Sequence, residues 1–285
     1  MSSYDLSGKV ILITGASGGI GAASARMLIT KGAKVTLVDL SDDAVTALAA
    51  QLPAGSSLPF AADVTDVDQM NAAVAATVAE FGRLDIVWAN AGISNDPPVT
   101  LATADLATYE RVIEVDLLGV IRTIKPALAQ VIENKGQVVI TGSGYSFLNA
   151  VFNSAYGASK AGVEMLARSL RAELAPHGAS ASVLYPSWTK TPITHSTQDD
   201  ELLNRLFNHA FRGPLGMFSE PEVVAAGLVR GLQTRAPRMF APRWWAAVSA
   251  LRGIVNPLTD ALLDRDHTSQ DLIRQIERRH HATQI

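Results

Sequence analysis

The chain has 285 residues, 48 % of them hydrophobic and 18 % charged, with a formal net charge of −3. That length and apolar content suffice for a substantial core and exclude disorder, and the slightly acidic balance excludes bulk attraction to nucleic acid. The sequence contains no cysteine, which excludes a disulfide framework, a thiolate metal site and a cysteine nucleophile; no metal-ligand cluster is read elsewhere. The first residues, Met1-Ser2-Ser3-Tyr4-Asp5-Leu6, carry neither a basic run nor an apolar segment, so no secretory leader is expected. No stretch approaches the roughly 20 apolar residues of a membrane-spanning helix, and the expected location is the cytoplasm.

Short apolar runs alternate with longer segments of helical spacing. Strands are predicted at Val10–Ile13, Lys34–Val38, Leu58–Ala61, Leu84–Trp88, Gln137–Thr141, Ala181–Leu184 and Arg238–Phe240. Helices are predicted at Gly19–Lys31, Asp42–Gln51, Val67–Phe81, Leu106–Ile132, Ala155–Ala175, Leu202–His209 and Pro221–Thr234. Strands apolar on both faces and separated by helices indicate a doubly wound α/β domain with a parallel sheet. Residues 1–240 read as that single domain and residues 241–285 as a helical extension.

The first strand runs into Thr14-Gly15-Ala16-Ser17-Gly18-Gly19-Ile20-Gly21 at the start of a helix. Unpaired N–H groups and the positive end of the helix dipole make such a turn a site for a phosphate, and glycine lets the backbone come close. Alone, this string fits a steric turn equally well. The second strand ends at Asp39-Leu40, and Asp39 lies 18 residues beyond Gly21. An acidic residue at that tip accepts hydrogen bonds from the adenosine ribose and repels a 2′-phosphate, which favours NAD over NADP. Asp63-Val64 follows the third strand and Asn90-Ala91-Gly92 the fourth, both at carboxyl ends where open α/β sheets bind ligands.

Tyr156-Gly157-Ala158-Ser159-Lys160 places a phenol and an ammonium four residues apart on one helical face. A free tyrosine, with a pKa of about 10, is a poor base at neutral pH; a nearby cation stabilises the phenolate and lets it exchange a proton with an alcohol or carbonyl. Ser143, just past the fifth strand and 13 residues before Tyr156, is placed to hydrogen-bond the reacting oxygen.

These pieces together resemble the short-chain dehydrogenase/reductase family. The resemblance rests on the T-G-x-x-x-G-x-G loop at 14–21, Asp63, the N-A-G at 90–92, Ser143 and the Y-x-x-x-K at 156–160, and covers about residues 7–195 and 221–240. It implies a Rossmann-type sheet of seven parallel strands that binds NAD(P), with Tyr156 as acid/base, Lys160 lowering its pKa and contacting the nicotinamide ribose, and Ser143 orienting the substrate oxygen. It also implies a homotetramer or homodimer formed through the helices at 106–132 and 155–175. Cofactor contacts are expected from Gly15, Ser17, Gly18, Gly19, Ile20, Gly21, Asp39, Leu40, Asp63, Val64, Asn90, Ala91, Gly92, Tyr156, Lys160, Pro186, Thr189 and Thr191.

Two positions depart from the family pattern. Asp116 stands where the family usually has an Asn that supports a lysine-linked proton route. Asp116 is expected to keep that relay role, and its carboxylate is also able to pair with Lys160 and weaken its effect on Tyr156. Ser187 follows Pro186 where the family has glycine, a residue tolerant of backbone angles that serine resists.

Substrate contacts are expected from Ser143, Tyr145, Phe147, Phe152 and Trp188, with a lid at about 187–218 containing Leu202, Leu203, Phe207, Phe211, Leu215, Met217 and Phe218. This aromatic enrichment favours a largely apolar alcohol or ketone. Lys190, Arg205 and Arg212 are scattered and do not form an anion clamp. In the extension, Trp244, Val248, Leu251, Val255, Leu258 and Leu262 form an apolar stripe, with Asn256-Pro257 read as a helix start and a basic tail at Arg274, Arg278, Arg279, His280 and His281. The stripe reads as packing against the body or a neighbouring subunit; a substrate lid and an interfacial membrane anchor remain as other readings. The expected function is NAD(H)-dependent interconversion of a secondary alcohol and a ketone. The alternative is a non-catalytic NAD-binding sensor or scaffold that retains the pocket.

Overall fold

A computed structural model of the chain describes residues 3–191, 194, 199–211 and 213–283; Arg212 and the side chains of Leu215, His280 and His281 lie outside that description. Seven parallel strands form one sheet in the order β3-β2-β1-β4-β5-β6-β7. They are β1 (Val10–Thr14), β2 (Lys34–Asp39), β3 (Ser57–Ala61), β4 (Ile86–Ala89), β5 (Gln137–Thr141), β6 (Ser180–Pro186) and β7 (Arg238–Ala241). Every residue of β1, β4 and β5 is buried, which explains why these strands read as unbroken apolar runs instead of alternating ones. Helices α1 (Gly19–Thr30), α2 (Asp42–Ala49), α3 (Val67–Phe81), α4 (Leu106–Ile113), α5 (Gly119–Glu133), α6 (Ser154–Leu174), α7 (Glu201–Ala210) and α8 (Pro221–Thr234) follow the strands. Two apolar clusters result: Leu12, Val87 and Val138 face one, and Ile11, Ile13 and Trp88 face the other.

The sheet order reverses between β1 and β4, and a crevice opens at the carboxyl ends of these strands. Asn90 ties the crevice together. Its Nδ2 donates to the carbonyls of Thr14 (3.0 Å) and Gly15 (3.2 Å), and its Oδ1 accepts from the Thr141 hydroxyl at 3.1 Å. Gly15 has φ +64, and a Cβ there would sit 2.9 Å from the Ala91 Cα. No side chain fits at Gly21 either, where a Cβ would lie 2.2 Å from the Gly15 carbonyl oxygen.

The helix predicted at 106–132 is interrupted by a π-helical turn, Glu114–Leu118, between α4 and α5. Hydrophobic spacing cannot reveal such a turn, because one extra residue keeps both flanks helical while rotating them relative to each other. Its consequence is local: Asp116 points inward and is fully buried. The strand predicted at Leu84–Trp88 begins instead at Ile86, since Asp85 is drawn into ion pairs with Lys9 and Arg83 at the foot of the sheet.

The extension forms α9 (Trp245–Ala250), α10 (Arg252–Leu263) and α11 (His267–Thr283). Asn256-Pro257 does not start a helix: Pro257 lies inside α10, where the bond it forgoes is to the carbonyl of Gly253. The apolar stripe, read as packing against the body or a neighbouring subunit, meets the body only in part: Val248 packs against the core and Val255 is half-buried. Trp244, Leu251, Leu258 and Leu262 stay exposed, Leu262 at 69 %, while Trp245 and not Trp244 enters the core. No helix among the described residues is long and apolar enough to cross a membrane.

Candidate active site

The crevice is a cavity of about 460 Å³ that runs from the glycine loop to an aromatic end. Gly15, Ser17, Gly18, Gly19, Ile20 and Gly21 line one end with Asp39, Leu40, Asp63 and Val64. Asn90, Ala91, Gly92, Tyr156, Lys160, Pro186, Thr189 and Thr191 line the middle. The fold thus brings every predicted cofactor contact to one surface. Gly18, the N-cap of α1, offers no side-chain cap, so the first-turn N–H groups remain available to an anion. The Asp39 carboxylate accepts hydrogen bonds from the Ser17 N–H (2.9 Å), the Ser17 hydroxyl (2.5 Å) and the Leu40 N–H (2.8 Å), which fix it at the mouth. Open amides at one point and a fixed carboxylate at a strand tip are the donor and acceptor set that a dinucleotide requires.

Arg111 was not singled out by the sequence, yet it lines the cavity and pairs with Asp63 at 3.2 Å. Burial pushes the Asp63 carboxyl up, but the Thr65 N–H and hydroxyl together with Arg111 hold it below the usual carboxylate range.

Ser143 caps the turn after β5 by accepting from the Tyr145 N–H at 3.2 Å, and its hydroxyl lies near enough to the Tyr156 phenol to lower its pKa. One turn along α6, Lys160 is buried beneath the tyrosine. Its Nζ lies 5.2 Å from the Tyr156 ring centre and donates to the Thr141 carbonyl at 3.3 Å. It also forms an ion pair with Asp116 Oδ2 at 3.0 Å, with both side chains withdrawn from solvent. Asp116 Oδ1 accepts from the Ile93 N–H at 2.7 Å, so the carboxylate bridges the lysine to the loop after β4.

Burial raises the Tyr156 pKa first; the Lys160 charge pulls it down, the Asp116 charge pushes it up, and the Ser143 hydroxyl lowers it, leaving the phenol above its ordinary value of 10. Burial opposes the Lys160 charge, yet Asp116 and Tyr156 keep the ammonium's pKa above its ordinary value. The second departure, Ser187, is accommodated without a left-handed backbone. Its N–H donates to the Ala241 carbonyl at 2.8 Å and its hydroxyl bonds that of Ser219 at 3.0 Å.

The aromatic end is formed by Tyr145, Trp188, Phe207 and Phe218 with Ile93, Ser94, Asn153 and Thr194. Tyr145 meets Tyr156 and Trp188 edge-on, with ring centres at 6.2 and 5.0 Å. Of the predicted substrate contacts, Ser143, Tyr145 and Trp188 line this cavity, while Phe147 and Phe152 do not. Phe147 packs against Tyr185 and Trp245, and Phe152 is buried with Leu203, Leu206, Leu272 and Ile276. Both are core residues because α9 and α11 cover them, and short-range spacing cannot anticipate those distant elements. Within the lid, Phe207 and Phe218 reach the cavity, Phe211 packs on Trp188 at 4.9 Å and Met217 is exposed. Asn153 ends the 144–153 stretch that the sequence assigns to the substrate side without marking this residue; its place three residues before Tyr156 at the start of α6 is the signal that singles it out.

Fold and site define a Rossmann-type oxidoreductase, with a dinucleotide crevice leading to a serine–tyrosine–lysine group. Comparison with known proteins agrees: residues 9–202 match the short chain dehydrogenase family, and the chain belongs to that family. It is 36 % identical over 222 residues to cis-4-hydroxycyclohexanecarboxylate dehydrogenase of Sinomonas cyclohexanicum, spanning 77 % of this chain and 87 % of that protein. It is also 36 % identical over 204 residues to (+)-borneol dehydrogenase 1 of Salvia officinalis, spanning 70 % of this chain and 77 % of the relative. A similar solved structure is 3-ketoacyl-(acyl-carrier-protein) reductase from Brucella melitensis complexed with NADH, at 25 % identity and TM-score 0.74 over 82 % of this chain and 97 % of that one.

Proposed function

We propose that the protein is an NAD(H)-dependent dehydrogenase that interconverts a largely apolar, ring-bearing secondary alcohol with its ketone. The observation that carries this reading is the convergence of Ser143, Tyr156 and Lys160 where the crevice meets an aromatic wall. The names of the two relatives support the ring: both describe dehydrogenases of alicyclic alcohols. A bound nicotinamide would supply the hydride chemistry. The glycine loop would hold the pyrophosphate, Asp39 the adenosine ribose, Lys160 the nicotinamide ribose, and Pro186, Thr189 and Thr191 the nicotinamide end.

In alcohol oxidation, Ser143 orients the substrate oxygen and Tyr156 takes the hydroxyl proton at its phenolic oxygen; in reduction, Tyr156 returns it. Burial and the Asp116 charge disfavour the phenolate, so the base form that oxidation needs grows as pH rises. Asp116 is a positioning residue: it anchors Lys160 to the loop after β4 and sets how much of the lysine's charge reaches the phenol. Preference for NAD rests on Asp39, whose carboxylate would repel a 2′-phosphate. A sensor without catalysis has no feature in its favour, since such a protein needs no proton donor under the aromatic wall. The exposed Leu118, Ile121 and Met165 support assembly as a homodimer or homotetramer through the helices that carry them.

The test is an assay of alicyclic alcohols with NAD and with NADP, read by nicotinamide absorbance. NAD-dependent oxidation of cyclohexanol derivatives is expected. Turnover confined to small charged hydroxy acids or sugars would overturn the substrate assignment, and a preference for NADP would overturn the cofactor assignment.

A further inference from the structure

Asn153 is the N-cap of α6, a position where asparagine ordinarily accepts a hydrogen bond from the first helical turn. Its side chain makes no such bond. Instead Oδ1 accepts the Ser94 hydroxyl at 2.6 Å, turning the amide away from the helix and onto the wall of the cavity. Only 9 % of the residue is exposed. With Oδ1 engaged, the Nδ2 donor has no hydrogen-bond partner among the described residues and is left to the cavity that Asn153 lines. The backbone is bent to produce this. Phe152 adopts φ +66, a left-handed angle uncommon for an aromatic residue. Its ring is locked among Leu203, Leu206, Leu272 and Ile276, so packing from α7 and α11 overrides the local preference and sets where Asn153 emerges.

From this geometry we infer that Asn153 and Ser94 form a polar subsite for a second oxygen on the substrate. The subsite rests on the assignment of the cavity to a ring-bearing alcohol or ketone, and it narrows that class. The free group is an N–H donor, so the matching group is an acceptor: an ether, carbonyl or hydroxyl oxygen held away from the reacting carbon. The remaining wall here, Ile93, Tyr145, Trp188 and Phe207, offers apolar contact to the ring between the two oxygens. Ser94 fixes the polarity of the subsite by consuming the amide's acceptor.

The decisive experiment compares two ketones of near-equal shape, 4-methoxycyclohexanone and 4-ethylcyclohexanone, which differ by an ether oxygen in place of a methylene. Calorimetric titration of each into the protein saturated with NAD reports binding without turnover, because both partners are already oxidised. The corresponding alcohols are then assayed for NAD-dependent oxidation. The wild type is expected to bind the methoxy ketone about tenfold more tightly. Asn153→Leu brings that ratio to unity, and Asn153→Asp, which substitutes an acceptor for the donor, inverts it. Because a ratio within one protein is read, a general loss of affinity in a variant does not disturb the result. Equal binding of the two ketones by wild type, or a preference that survives in Asn153→Leu, overturns the subsite. An Asn153-dependent preference without oxidation of either alcohol upholds the subsite and overturns hydride transfer. Oxidation of both alcohols with no such preference does the reverse.

Discussion

Replacing Asp116 with the asparagine usual in the family isolates the charge that sets this site apart. Lys160 Nζ is 3.0 Å from Asp116 Oδ2 and 5.2 Å from the Tyr156 ring centre, so the carboxylate lies within about 8 Å of the ring. At an effective dielectric constant of about 20, unit charges at that range interact by roughly 2 kcal/mol, equivalent to about 1.5 pH units. The sign follows from the like charges: Asp116 disfavours the phenolate and raises the Tyr156 pKa. Oxidation needs the phenolate and rises with pH towards that pKa; reduction needs the phenol and falls as pH passes it. Asp116→Asn should therefore move both limbs to lower pH by about 1.5 units, speeding oxidation at neutral pH. The assay is kcat/KM against pH in each direction, with NADH binding measured in parallel to confirm an intact crevice. Unmoved limbs in a variant that binds NADH normally would refute the electrostatic role of Asp116.

Asp116→Leu removes the partner of a buried ammonium outright, and thermal or denaturant unfolding should register a loss of about 3–5 kcal/mol. Asp39→Ala leaves the Ser17 N–H and hydroxyl without their carboxylate and removes the repulsion at the strand tip; the NADP-to-NAD ratio of kcat/KM should rise at least about tenfold. Gly21→Ala drives a Cβ to 2.2 Å from the Gly15 carbonyl, so NADH binding measured by fluorescence should be lost. Light scattering should give the mass of a dimer or tetramer, and Ile121→Glu with Met165→Glu should shift it towards the monomer, since both residues are exposed in a single chain.

Much of the crevice was legible in the sequence because its residues follow strand ends at short range. Glycines 15 and 21, Asp39 and Asn90 are placed by the sheet alone, and unbroken apolar runs separated by helices locate the sheet. What escaped depends on contacts between distant segments. The π-helical turn that buries Asp116 leaves the apolar spacing on either side intact. Phe147 and Phe152 resemble substrate contacts until α9 and α11 are laid over them. The stripe at Trp244, Leu251, Leu258 and Leu262 has the period of a packed helix and yet remains exposed. Periodicity reports that a face is apolar, not what covers it. The extension is tied to the catalytic body by other means: Arg252 pairs with the buried Glu164 of α6 at 2.8 Å, and Asp266 bonds His209 of α7 at 2.7 Å. Neither pair has a local sequence signal.

The central claim is that Tyr156 moves the proton while hydride is exchanged with a nicotinamide. Its most direct test is Tyr156→Phe, which keeps the ring and removes only the phenolic oxygen. Oxidation of a cyclohexanol derivative should fall by about 10²–10⁴-fold, the range of a lost general acid–base group, while NADH still binds. Turnover retained at the wild-type rate would contradict the account.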